Sequence, residues 1–279
     1  MKIIRHEIRF GLKQKITVFA FYILMAIVFV NFATNVFAFQ GLDRVEMYHP
    51  AKILSISFNR IYSDADMTLL LVQLYPVLVV CPAGFMLLSE KTRKENILII
   101  TKIGSTKYYL CKMVAAFFIT AIVFTVPFLI ELLLNCISFP VAATGDFTGL
   151  NQYNPTYVEM VTNYTMSGLY EWDSYLYAII EIFVFGIFSG IMGAFTVSLS
   201  SVLTIRYKIF LFLPIFILLN ASVYISYITD KLSYSVRWFD YVLLFNDSPK
   251  NMSCFICILL ALILISIACI LYKSKGDQF

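Results

Sequence analysis

Two carboxylates, Glu131 and Glu181, fall inside or near long apolar stretches of this chain. A carboxylate surrounded by hydrocarbon is costly, so such a residue is by default a candidate for binding an ion or the cationic part of a ligand. Both positions lie towards the outer ends of their stretches, and the alternative is that their side chains simply reach the polar surface. No lysine or arginine lies between Lys112 and Arg206, so no basic partner is near in sequence. We take Glu131 and Glu181 as candidates for a substrate pathway.

Residues for enzymatic chemistry are scarce. The two histidines, His6 and His49, stand outside any His-Glu-x-x-His pattern, and every aspartate falls outside the apolar stretches. Cys254 and Cys257 form one Cys-x-x-Cys pair without a second pair, which favours ordinary packing over a zinc or redox site. The chain has no Gly-x-x-x-x-Gly-Lys-Ser/Thr loop to hold a nucleotide phosphate. We therefore predict no catalytic residue, no metal site and no cofactor bound by this chain.

Composition indicates which elements position the two acids. Hydrophobic residues make up 60% of the 279 residues and charged residues 14%, with a mean hydropathy of +0.83. Soluble domains carry about a quarter charged residues, so the sequence predicts an integral membrane protein. Six stretches approach the roughly 20 apolar residues needed to cross a bilayer, at residues 16–38, 67–89, 113–134, 175–199, 209–228 and 252–272. They predict one all-α membrane domain over residues 1–279.

The distribution of charge predicts the topology. If both termini are cytoplasmic, 15 of the 21 basic residues lie on that side and 11 of the 17 acidic residues lie outside. The opposite topology would export a polybasic loop, which the positive-inside rule disfavours. We expect a multi-pass protein of the plasma membrane, with the N- and C-termini inside and an external loop at residues 139–174.

Residues 1–15 predict a separate interfacial helix before the first span. On a helical projection, five basic residues share one arc (Lys2, Arg5, His6, Arg9 and Lys13) and apolar residues cover most of the rest, interrupted by Glu7. Such a helix lies in the plane of the lipid headgroups. The alternative is a positively charged flank to the first span.

Glycines at four-residue spacing, Gly186 and Gly190, are followed by Gly193 in the fourth apolar stretch. Small residues at this spacing let two helix backbones approach closely. The partner helix belongs either to this chain or to another copy, and we favour a contact within the chain.

The loop between the second and third stretches, residues 90–112, is longer than a spacer requires. It contains an apolar run, Ile97 to Ile100, that predicts a short helix. Gly104 fits the end of this helix, and Ser105 fits the N-cap of the next. A short helix across the cytoplasmic face offers a docking surface for a soluble partner.

This loop resembles the first cytoplasmic loop of ABC-2 type transporter permeases. The matching positions are Glu90, Glu95-Asn96-Ile97-Leu98, Ile103-Gly104-Ser105 and Lys112. Asn96 departs from the glycine common in that family, and Gly104 stands where a Pro-Val step is frequent. The layout is also similar, with an interfacial N-terminal helix, six spans and both termini inside.

The resemblance implies an ABC-2 permease fold of the type V exporter kind, with residues 90–112 as its coupling loop. Two separate ATPase subunits would bind ATP and magnesium, and a second permease chain, identical or related, would complete the transporter. An amphipathic or hydrophobic cargo, such as an antimicrobial peptide, a lipid or a drug, would be exported. The ATPase-docking residues implied are Glu90, Arg93, Lys94, Glu95, Ile97, Leu98, Lys102, Gly104 and Ser105. Membrane lipids are expected partners and nucleic acid is not.

Two other classes remain open. A membrane sensor or assembly factor that transports nothing has the same hydrophobic layout. An ion-coupled secondary transporter would use buried charges near mid-membrane and usually internal repeats, and two acids near the outer face are a weak basis for it.

Overall fold

We analysed a computed structural model of the chain. The structure describes residues 2–41, 47–58, 66–82, 84–93, 95–141, 161–203, 208–228 and 233–276. Much of the predicted external loop, at 142–160, and most of the segment around Arg206 therefore lie outside the described residues.

The described residues form helices joined by short segments, without a β-strand among them. The helices are α1 (Lys2–Leu12), α2 (Lys15–Ala38), α3 (Asp66–Leu78), α4 (Gly84–Arg93), α5 (Glu95–Ile103), α6 (Ser105–Ser138), α7 (Ser167–Trp172), α8 (Ser174–Val202), α9 (Leu213–Ile228), α10 (Trp238–Val242) and α11 (Met252–Gly276). Two 3₁₀ turns, Val161–Asn163 and Lys208–Phe212, complete the set. The helical fold class predicted from the sequence is confirmed.

Four helices, α2, α6, α8 and α11, are long and apolar enough to cross a bilayer. All four coincide with predicted spans, and the chain is a membrane-embedded protein. The helices α3 and α9 are shorter and also apolar.

The core of the bundle is the contact between α6 and α8, which run in opposite directions. A Cβ atom built on Gly186 would lie 1.9 Å from the hydroxyl oxygen of Thr125 on α6, and one on Gly193 would lie 2.3 Å from that of Thr120. A Cβ atom on Gly190 would lie 2.8 Å from the ring of Phe117. Only glycine permits this approach, so the partner of the glycine face is a helix of the same chain, as favoured from the sequence.

The bundle has two ends that differ in composition. At the first, which we call the α1 end, α1, α4 and α5 meet the start of α6 and the end of α11, where Leu87, Tyr108 and Ile270 share one apolar cluster. At the second, the loop end, residues 47–58 pair with the segment that follows α10. A parallel bridge between Ser57 and Leu244 and the hydrogen bonds on either side of it join these two segments.

The second predicted span, at 67–89, was expected to be one helix and consists of two, α3 and α4. Pro76 lies inside α3 and Pro82 lies in the connection, and each proline removes one backbone donor. The carbonyl oxygen of Pro82, in the connection between the two helices, accepts a hydrogen bond of 2.9 Å from Thr17 on α2. A neighbouring helix thus satisfies one backbone carbonyl at the interruption, as a helix interrupted in a membrane requires of its exposed backbone groups.

Candidate functional site

The short helix predicted in the loop 90–112 is present as α5. One residue separates α4 from α5, and Gly104 alone separates α5 from α6. Gly104 has φ +85°, a conformation that favours glycine, which allows the sharp turn between the two helices. The predicted helix end at Gly104 is confirmed.

The prediction that Ser105 caps α6 is wrong. Gly104 occupies the N-cap position, and Ser105 is the first residue of the helix. The Ser105 hydroxyl is buried and has no hydrogen-bond partner among the described residues. Because glycine takes the left-handed turn, the serine enters the helix, where its hydroxyl is not placed to cap it.

The two faces of α5 differ sharply. Ile99, Ile100 and Ile103 pack against the apolar cluster at the α1 end. On the other side, Ile97 and Leu98 are 57% and 68% exposed, and Lys102 is exposed beside them. We call Ile97, Leu98 and Lys102 the docking face. Two adjacent exposed aliphatic side chains on a helix held from behind form a surface suited to a partner.

Three predicted docking residues cannot be placed on this face. Lys94 and the side chains of Arg93 and Glu95 lie outside the described residues. Glu90 is described, and it is buried rather than exposed, with 6% of its surface accessible.

Glu90 belongs to a buried ionic cluster at the α1 end. The Lys112 ammonium on α6 is 2% exposed and donates to Glu90 and, at 2.5 Å, to Oε2 of Glu7 on α1. The Tyr108 hydroxyl donates to the second Glu90 oxygen at 2.6 Å. We call Glu7, Glu90 and Lys112 the charge triad. It joins α1, α4 and α6 at one point, directly behind α5.

Sequence reasoning placed Lys112 at the membrane surface and gave Glu7 no role. Helix α6 begins at Ser105, eight residues before the predicted start of the third span, which places Lys112 two turns inside the helix. The residue in the sequence that could have indicated this cluster is Glu7, the one acid on the apolar side of α1. A lone acid on an otherwise apolar face predicts a buried basic partner.

At the loop end, Glu131 has a complete set of partners. One carboxylate oxygen accepts from Asn31 on α2 at 2.7 Å and from the backbone N–H of Ser55 at 2.8 Å, and the other accepts from the Ser55 hydroxyl at 2.6 Å. Asn31 and Asn35 also donate to the carbonyl of Ile53. Glu131 therefore anchors residues 47–58 between α2 and α6.

Glu181, on α8, has no such set. Its side chain is 1% exposed, and neither carboxylate oxygen has a hydrogen-bond partner among the described residues. The field of the Lys250 ammonium reaches it, although that ammonium bonds to Asn246 and Thr165 at 2.8 and 3.2 Å. Burial lowers the pKa of Lys250 to about 8, against the opposing field of Glu181. A buried acid without a partner is available to an external cation or proton.

The two acids lie in separate surroundings. Glu131 faces α2 and residues 47–58, whereas Glu181 lies one turn after Tyr177. The Tyr177 ring packs with those of Tyr164, Tyr170 and Phe245 at centroid distances of 5.3 to 6.2 Å. The structure does not join the two residues into one site.

In the part of the chain that the structure describes, no cluster of three or more His, Cys, Asp or Glu side chains is arranged to bind a metal ion.

Comparison with known proteins identified no relative. The sequence matches no family model and no curated protein, and the structure matches no solved structure.

Proposed function

We propose that this chain is the membrane-spanning subunit of an ATP-driven exporter of the ABC-2 type. The observation that carries the proposal is the docking face. Helix α5 packs on the apolar cluster through its partly buried isoleucines and exposes Ile97 and Leu98 on its other side. A soluble ATPase that binds this face would supply the energy that the chain has no phosphate-binding loop to supply.

In this proposal the α1 end is cytoplasmic. The basic residues of α1, α5 and the end of α11 gather there, as the positive-inside rule requires of a cytoplasmic face. The helix pair α3 and α4 forms a second span and α9 a fifth, giving six crossings with the four long helices. The permease would pair with a second copy or a related chain.

The charge triad supports the coupling of docking to movement. A partner that displaces α5 also displaces α4, since a single residue links the two helices. Glu90 at the end of α4 is bound to Lys112 on α6, and Lys112 to Glu7 on α1. A push on the docking face is thereby passed to a long span and to the N-terminal helix together.

An apolar cavity supports an amphipathic or hydrophobic cargo. It has a volume of about 220 Å³ and lies between α8, α9, α10 and α11, lined by aromatic and aliphatic side chains that include Phe188, Met192, Trp238 and Phe255. Glu181 lies about 10 Å along α8 from Phe188, at 1.5 Å per residue. A cargo with an apolar body and a positive group would match these two features.

The test is loss of a bound ATPase. The tagged chain is purified from membranes of its own source, and a co-purifying protein with a phosphate-binding loop is identified by mass spectrometry and its ATP hydrolysis measured. We expect the double substitution Ile97→Ser and Leu98→Ser to remove that protein. Leu203→Ser is the matched control, because Leu203 is an exposed leucine at the same end, 42% accessible.

Two outcomes would contradict the proposal. One is full retention of the ATPase by the double variant. The other is ATP hydrolysis by the purified chain alone, since no segment of it is long enough for a nucleotide-binding domain of about 100 residues.

An ion-coupled transporter is the second candidate, favoured by the buried Glu181, whose carboxylate has no hydrogen-bond partner among the described residues. It predicts transport driven by an ion gradient without ATP and abolished by Glu181→Gln. In an ATP-driven exporter the same substitution would weaken only the transport of positively charged cargo.

A further inference from the structure

A groove of about 500 Å³ lies at the α1 end, between α1, α4 and α5. Its walls are apolar, with Ile3 and Phe10 from α1 on one side and Ile99 and Ile103 from α5 on the other. Glu7 and Glu90 are its acidic lining residues. The groove is separate from the docking face, which is on the exposed side of α5.

Among the described residues, the acidic charges at the groove outnumber the basic charge that contacts them. Two carboxylates of the triad face one ammonium, so the cluster carries a net negative charge when both acids are ionised. No further cation contacts Glu7 or Glu90 in the part of the chain that the structure describes. Both Glu90 oxygens accept hydrogen bonds, from Lys112 and Tyr108. Of Glu7, only Oε2 accepts one, which leaves Oε1 as an open acceptor beside the groove.

The α1 wall of the groove is followed in the chain by α2, a helix long and apolar enough to cross a membrane. Ile3 and Phe10 are 42% and 45% exposed, and the first turns of the long apolar helix α2 expose Ile16 and Phe19. An occupant that enters from this side comes from the membrane and brings an apolar chain.

We propose that this groove binds one phospholipid with a primary-amine headgroup, of the phosphatidylethanolamine class. The acyl chain lies along the isoleucines and Phe10, and the ammonium donates to the open oxygen of Glu7. This inference is independent of ATPase docking, because it concerns a different surface and a different ligand.

The headgroup chemistry distinguishes this lipid from its neighbours in a membrane. A primary ammonium carries three hydrogen-bond donors, as lysine does, and forms charge-assisted bonds with a carboxylate. Phosphatidylcholine has the same phosphate and charge without any N–H donor. Phosphatidylglycerol offers the phosphate without a cation and would bring a negative charge beside the open carboxylate.

The test is native mass spectrometry of the purified full-length chain after incubation with equimolar phosphatidylethanolamine, phosphatidylcholine and phosphatidylglycerol of identical acyl chains. We expect one phosphatidylethanolamine to be retained per chain. Glu7→Gln should lower that retention about tenfold, the loss expected for one charge-assisted hydrogen bond. Glu171→Gln is the matched control, because Glu171 is an exposed acid of α7 at the loop end.

A second variant protects the test from a folding defect. Ile103→Trp fills the groove from α5 without altering the charge triad, and it should abolish retention of the lipid. Equal retention of phosphatidylcholine would overturn the proposal, and so would a preference for phosphatidylglycerol. Retention of phosphatidylethanolamine that persists in the folded Ile103→Trp variant would overturn it as well.

Discussion

Replacing Lys112 by methionine removes the only cation that the structure shows on Glu7 and Glu90. Methionine keeps most of the side-chain length and apolar bulk, so the main change is the loss of a charge. Glu7 and Glu90 are buried residues, only 8% and 6% exposed, and removing one partner of a buried ion pair costs about 3–5 kcal/mol. We expect the free energy of unfolding of Lys112→Met to fall by about that amount.

The measurement is reversible denaturation of the purified chain in mixed micelles, compared with Lys107→Met. Lys107 is an exposed lysine of the same helix, and its replacement should change the free energy of unfolding by less than about 1 kcal/mol. The triple variant Glu7→Gln, Glu90→Gln and Lys112→Met keeps the shapes and removes all three charges. It should recover most of the loss, because replacing a buried ion pair with neutral groups of similar volume is often nearly neutral.

Two results would refute this reasoning. If Lys112→Met is as stable as the wild type, the ammonium is not compensating buried charge. If the triple variant is no more stable than Lys112→Met, the loss comes from packing around residue 112 rather than from the unpaired carboxylates.

Three further predictions concern the loop end and the helix contact. Glu131→Ala should lower the free energy of unfolding by about 3 kcal/mol and speed hydrogen exchange in residues 47–58. Glu131→Gln, which keeps one acceptor oxygen, should lower the free energy of unfolding clearly less. Equal effects of the two variants would contradict the anchoring role. Burial, together with the charge of Lys52, lowers the pKa of His49 to about 4. Between about pH 6.5 and 4 only the unfolded chain takes up this proton, so the free energy of unfolding should be highest above pH 6.5 and fall across that range. His49→Asn should lose that pH dependence in denaturation curves. Gly186→Ala should cost about 1–3 kcal/mol by overpacking, and Thr125→Ala, which removes the nearest atom to the added methyl group, should recover part of it in the double variant.

The long spans were predictable because hydrophobic length and charge bias are local properties of a sequence. Helices α2, α6, α8 and α11 coincide with four predicted stretches within a few residues at most ends. The exception is the start of α6, where hydropathy places the boundary after Lys112. Hydropathy cannot include Lys112 in a span, because the two acids that neutralise it are far away in sequence, at 7 and 90.

The interruption between α3 and α4 was only partly foreseen. Prolines at 76 and 82 indicate a disturbed helix, but a proline in a span gives a kink or a break according to what satisfies the freed backbone groups. One such partner here is the Thr17 hydroxyl, which bonds to the Pro82 carbonyl from 65 residues earlier in the chain. Nothing local to the second stretch shows that this donor is available.

The two membrane acids show the same limit in the candidate site. Glu131 and Glu181 have the same sequence signature, an acid towards the outer end of an apolar stretch, and the sequence assigns them the same role. The structure gives Glu131 three donors, two of them from Ser55, which the chain brings back between α2 and α6. A carboxylate with three donors is stabilised where it is and has little left to offer a ligand. Glu181 is as deeply buried and has no donor among the described residues, so the cost of its burial is not offset within the part of the chain that the structure describes. That difference makes Glu181 the stronger candidate for contact with an ion or a cationic cargo, and it gives Glu131 the role of holding the loop end closed over the bundle.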